Sequence, residues 1–127
     1  MYKYVRETSL SFEEAEARFK EALEKVGLKA INEIPISNIL KNKLNVEIPA
    51  YKTFLICNPK IVNELLALEY DIGLLVPCHG VVYEKEGKVY VGVELPSETL
   101  KVAGEQVSTF MTEIEENLKK AVDMVVQ

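Results

Sequence analysis

The chain has 127 residues, 48% of them hydrophobic, which is enough to build one core and a single domain over 1–127. A formal charge of -5 argues against nucleic acid as a partner, since capturing a polyanion takes a concentrated basic surface that releases counterions. No apolar run approaches the roughly 20 residues that span a bilayer, and the opening MYKYVRETSL lacks the apolar centre of a signal peptide, so no membrane association and a cytoplasmic location are expected.

From the N-terminus, YKYVRETS (2–9) alternates as a strand does, and SFEE (11–14) has the Ser-x-x-Glu spacing of a capping box, which predicts a helix start. Phe12, Ala15, Phe19, Ala22, Leu23 and Val26 then recur every three or four residues on one apolar face, and Gly27 is the expected stop. LKAINEIPI (28–36) reads as a second strand with Pro35 near its end, and 37–44 as a short helix. After NVEIPA, the strand formers of YKTFLIC (51–57) give way to the helical spacing of Ile61, Leu65 and Leu68. Asn58 suits the N-cap of that helix and Pro59 its first position.

IGLLVPCHGVVYE (72–84) is predicted as one long strand bent or bulged near Cys78, because Pro77 and Gly80 interrupt it. KEGK (85–88) supplies the tight turn of a hairpin whose second arm is VYVGVEL. Val107, Phe110, Met111, Ile114, Leu118 and Val122 lie on one stripe of a long closing helix. The predicted order is β-α-β-β-α-β-β-α, an α+β domain with helices packed on one face of a mainly antiparallel sheet and about a third of the chain helical.

The segments AYKTFLICNP (50–59) and DIGLLVPCHGVVYE (71–84), with EKVGLKAINEIPI and ILKNKLNVEIPAYK before them, resemble the domain of unknown function family 302. The resemblance rests on a CNP strand end followed by LxPC at this spacing. It implies a TATA-box-binding-protein-like arrangement of strand, helix, four strands and helix, and a homodimer. It implies no established activity, leaves any cofactor unknown, and carries no role over to His79.

Chemistry concentrates around two cysteines, too few for a disulfide framework and expected to be free thiols. Cys57 sits directly before a helix start, where unpaired N–H groups and the helix dipole favour a thiolate, so a lowered pKa is expected. Cys78 lies between Pro77 and His79, the only histidine. Cys57, Asn58 and Cys78 are therefore the candidate ligand-binding residues, facing a common pocket with His79 turned away. The competing reading is plain packing, because cysteine at the end of an apolar strand behaves as a small hydrophobe. A metal held within one subunit is not expected, since a closed zinc site takes four ligands.

Two function classes follow. The first is a non-catalytic binder of a small ligand or soft metal near Cys57 and Cys78, with four thiolates available if two chains meet there. The second is a thiol-dependent redox enzyme with Cys57 as nucleophile and Cys78 as resolving thiol, although CxxC spacing is absent. Asp71, Glu84, Glu86 and Glu94 read as a solvated acidic rim, and Lys41, Lys43, Lys52 and Lys60 as a solvated basic excess. The common nucleotide-binding and hydrolase motifs are absent.

Overall fold

In the computed structural model, which describes residues 1–126, five strands form one antiparallel sheet in the order β1-β5-β4-β3-β2. They are β1 (Lys3–Thr8), β2 (Lys29–Ile34), β3 (Tyr51–Cys57), β4 (Cys78–Lys85) and β5 (Lys88–Glu94). The two-residue turn between β4 and β5 places Glu86 at φ 53 and Gly87 at φ 79, the positive pair that matches strand twist in a tight hairpin.

Helix α1 (Phe12–Lys25) starts where its cap predicts: the Glu14 N–H donates to Ser11 Oγ at 3.2 Å, and the Ser11 N–H donates back to Glu14 Oε1 at 3.1 Å. Its apolar face, Ala15, Phe19, Ala22 and Leu23, is buried. Helix α2 (Ile36–Leu44) has no buried residue, and α3 (Pro59–Leu68) starts on the Asn58 cap. Two short helices, α4 (Pro96–Thr99) and α5 (Glu105–Phe110), precede α6 (Thr112–Val126), whose stripe of Ile114, Leu118, Ala121, Val122 and Val125 is buried.

Helices α1 and α6 pack on each other and on one face of the sheet, against Phe54, Val82, Val91 and Val93. Burying each such Val, Leu or Phe contributes about 1.5–3 kcal/mol, so this layer carries most of the folding energy. Phe19 meets Phe54 edge-on with ring centroids 5.6 Å apart, directly over Gly80. The buried polar side chains are all paired: Thr8 Oγ donates to the Val125 carbonyl at 3.0 Å, and Glu115 accepts from both the N–H and the hydroxyl of Ser97, which ties the 96–110 segment to α6. The family of ion pairs around Lys52, to Glu16 and Glu33, joins β3 to α1 and β2, so this lysine is not part of a solvated basic excess.

Three predicted elements need correction. The long strand over 72–84 is not formed; Tyr70–Leu74 is a 3-10 turn capped by Glu69, and the ladder starts only at Cys78, after Pro77, which has no N–H to pair. The register of β4 is unbroken, and the irregularity lies instead in β2, between Ala30 and Asn32. The closing helix is divided at Met111, and the turn Leu100–Ala103 ends at Gly104 with φ 109, a conformation glycine tolerates. These additions raise helix, 3-10 turns included, to about 53% of the chain against the predicted third. No helix of the described residues is long and apolar enough to cross a membrane.

Candidate functional site

The cysteines lie where β3 ends and β4 begins. Ile56 is the register partner of Cys78, so Cys57 is one residue further along the neighbouring strand. Cys57 is half-buried and Cys78 only 7% exposed, and both are free thiols. Together with Asn58, Ile61, Leu65 and Met111 they line a cavity of about 20 Å³, which holds one water and little more. Asn58 is spent on structure: its Oδ1 accepts from the Lys60 and Ile61 N–H groups and its Nδ2 donates to the Gly27 carbonyl at 2.8 Å. It joins the end of α1 to the start of α3.

The expected lowering of the Cys57 pKa is reversed. Burial raises it, outweighing the Asn58 backbone N–H that favours the thiolate. Cys78 is pushed up to about 12 by burial, with the charges of Glu94 and Cys57 adding to it. At neutral pH both sulfurs are thiols.

The opposite face of the sheet has no helix layer, and alternation along the strands sorts its side chains into rows. One row is mostly polar: Lys3 is the backbone register partner of Glu94, and His79 sits between Glu94 and Leu55. The next is small, running Val5, Gly92, Val81 and Thr53. The third is tall, with Tyr90, Tyr83 and Tyr51 in register and their rings stacked at 5.3 and 5.2 Å. Polar and aromatic rows stand four residues apart, about 13 Å of strand rise, so the small row is the floor of a groove that crosses the strands. Ile48, Pro49 and Tyr2 also line the groove, which has a volume of about 530 Å³.

His79 is held in this wall. Its Nδ1 lies 2.8 Å from Glu94 Oε1, which also accepts the His79 backbone N–H at 2.7 Å, while Glu94 Oε2 accepts from the Thr99 hydroxyl. Glu94 is 13% exposed and His79 51%, so the carboxylate is enclosed and the imidazole is presented. With Nδ1 committed to Glu94, Nε2 is the free nitrogen. Glu94 thus leaves the solvated rim assigned to it from sequence. Counting back from the two-residue turn would have put it opposite His79; nothing in the sequence signalled Thr99. Among the described residues, no group of three or more His, Cys, Asp and Glu side chains is placed to hold a metal ion.

The model for domain of unknown function DUF302 matches residues 4–125, nearly the whole chain. The chain belongs to the DUF302 family. Among solved structures it is similar to the uncharacterized conserved DUF302 protein from Bacillus stearothermophilus, with 21% identity, a TM-score of 0.92 and 98% of each chain covered. At that identity the likeness shows the DUF302 fold, which is the α+β arrangement predicted, and no activity. No curated protein matches the sequence significantly.

Proposed function

We propose that the chain is a single, non-catalytic binding domain of the cytoplasm whose small ligand lies in the groove across the open face of the sheet. The observation that carries this reading is room beside apolar and aromatic side chains, since depressions of about 440–520 Å³ elsewhere on the surface are lined mostly by polar and charged residues. The groove encloses about 530 Å³, within the ~300–1,000 Å³ of small-molecule sites, whereas the cavity between the cysteines measures about 20 Å³. Two unpaired thiols support the reducing compartment, and the charge of -5 supports a partner other than nucleic acid. A fragment screen read by amide chemical shifts tests the reading. Hits that move Val5, Val81 and Gly92 support it; hits confined to 57–65, or none, refute it.

The cysteine site is a second reading, favoured by the fact that Cys57 and Cys78 line one cavity of ionic dimensions. A soft metal ion bound there would have to displace both thiol protons, and a second chain would have to complete four thiolates. Metal content of protein purified without chelator, compared with Cys57→Ser, decides it. The redox alternative has less support, because neither thiol is a thiolate at neutral pH.

Homodimer formation belongs to the same proposal and leaves the groove free. β2 is an edge strand, and Ile31 on it, Ile39 and Leu44 on α2 and Val46 beyond are exposed. Two such edges pair antiparallel about a two-fold axis, covering the apolar side chains of both. Light scattering should give twice 14.3 kDa, and a monomer at high concentration would refute it.

A further inference from the structure

The charges along the groove cancel. Lys3 and Lys85 stand against Glu84 and Glu94, so the groove favours neither an anion nor a cation, and its selectivity must come from hydrogen bonding. Glu94 Oε1 is a carboxylate oxygen and can only accept, so in the neutral imidazole the His79 proton sits on Nδ1, 2.8 Å away. The same oxygen accepts the His79 backbone N–H, and Oε2 accepts the Thr99 hydroxyl, which holds the carboxylate in place. Nε2 then carries a lone pair and no proton, on a half-exposed ring that lines the groove. That nitrogen is complementary to a hydrogen-bond donor. A second carboxylate would find no donor at Nε2 and would meet the charge of Glu94.

The remainder of the groove is shaped for a flat apolar body. Gly92 leaves the floor low between Val5 and Val81, and a methyl group there would come within 2.6 Å of Val5 Cγ2. The stacked tyrosines form the far wall. Of the about 13 Å between the His79 and Tyr83 rows, a hydrogen bond takes about 2.8 Å and a van der Waals contact about 3.5–4.0 Å. About 6–7 Å is left between the donor atom and the far edge of the ligand, the span of two fused six-membered rings and more than that of one.

Resting on the reading that the groove is the binding site, we propose that its ligand is an uncharged phenol of two fused rings, whose hydroxyl donates to His79 Nε2. The rings lie on the Val5–Gly92–Val81 floor with their far edge against Tyr83. A ring N–H would also donate, but only a hydroxyl keeps lone pairs for the ammonium of Lys3, which stands in the same row. His79 is the specificity-determining residue. Glu94 is a positioning residue that acts through it by fixing which nitrogen is the acceptor, and Thr99 holds Glu94.

The test uses 2-naphthol and its methyl ether, 2-methoxynaphthalene, as probes at about pH 8, where an ordinary imidazole is neutral. Affinity and position are both followed by amide shifts on the intact chain. Both probes should perturb Val5, Val81 and Gly92, and the phenol should bind about three- to tenfold more tightly, the worth of one neutral hydrogen bond. In His79→Phe the two should bind equally. His79 is the only histidine, so nitrogen NMR reads its ring directly. Nε2 should resonate as an unprotonated nitrogen, and shift with 2-naphthol but not with the ether. Glu94→Gln should move that signal toward a protonated nitrogen and weaken the phenol severalfold. A protonated Nε2 in the parent chain, equal affinity of phenol and ether in the groove, or a preference that persists in His79→Phe overturns the donor assignment and leaves groove binding standing. Groove hits from the fragment screen with none from 2-naphthol overturn the same assignment alone, and no groove binding by any compound overturns both readings.

Discussion

Replacing Gly80 by alanine asks whether the sheet and α1 are packed as tightly as the structure has them. A methyl group at that position would lie 2.7 and 2.8 Å from Phe19 Cζ and Cε2 and 3.0 Å from Ile56 Cδ1. Carbon atoms in contact prefer about 3.5–4.0 Å, so the ring must withdraw by roughly 1 Å. It has nowhere to go, being fully buried with its edge against Phe54. Overpacking of this kind costs about 1–3 kcal/mol. Gly80 has no positive φ, so alanine also restricts the unfolded chain and returns about 0.4–1 kcal/mol. The steric term wins, leaving a net loss of about 1–2 kcal/mol and a fall in Tm of several degrees. Thermal melts followed by circular dichroism measure it, and the Phe19→Leu background isolates the cause: there the added methyl should cost clearly less. A Gly80→Ala variant as stable as its parent, or an equal cost in both backgrounds, would refute the packing argument.

Ser11→Ala removes the α1 cap and should cost about 1 kcal/mol in urea denaturation, with Ser11→Thr close to neutral. Alkylation of the native protein should modify Cys57 first and Cys78 only on unfolding, because access and not thiolate character separates them; mass spectrometry of the digested protein gives the order. Stability should fall as pH rises above about 9. The unfolded Cys78 ionises there while the folded thiol stays protonated up to about 12, so deprotonation favours the unfolded chain at up to about 1.4 kcal/mol per pH unit. A Cys78→Val variant should lose that part of the alkaline decline, and an unchanged profile would count against burial as the cause.

Where local signals were strong, the sequence reading and the structure coincide. The Ser11 and Asn58 caps, the period of α1 and the β4–β5 turn each depend on residues within four positions of one another. The closing stripe also survives, because its period runs on through the break at Met111. The failures share a different origin. Tyr70–Leu74 is as apolar as a strand, and only its position beyond the ladder at Pro77 makes it a turn. The segment from 96 to 103 is held in place where Ser97 donates to Glu115 and the Ser108 hydroxyl donates to the Ser97 carbonyl, contacts across 18 and 11 residues. At the candidate site, a helix start next to Cys57 was visible, but the desolvation that outweighs it depends on side chains from α3 and α5–α6. The groove was half legible: the alternation of β4 and β5 contains its rows, and the absence of a second helix layer is a property of the whole fold.

The edge strand β1 finds its partner β5 late in synthesis. Thr8 pairs with Val89, and its hydroxyl and the Tyr4 hydroxyl reach Val125 and Asp123 of the last helix. At ribosomal speeds of about 5–20 residues per second, the roughly eighty intervening residues take about 4–16 s to appear. During that interval α1 can lean on β2 and β4, but its larger contact, α6, does not yet exist. Over that interval the nascent chain carries a β-forming segment with open hydrogen-bond groups and a half-covered apolar helix. Until β5 and α6 have been made, the open edge of β1 and the uncovered face of α1 are free to meet other chains, a consequence of the order of the elements.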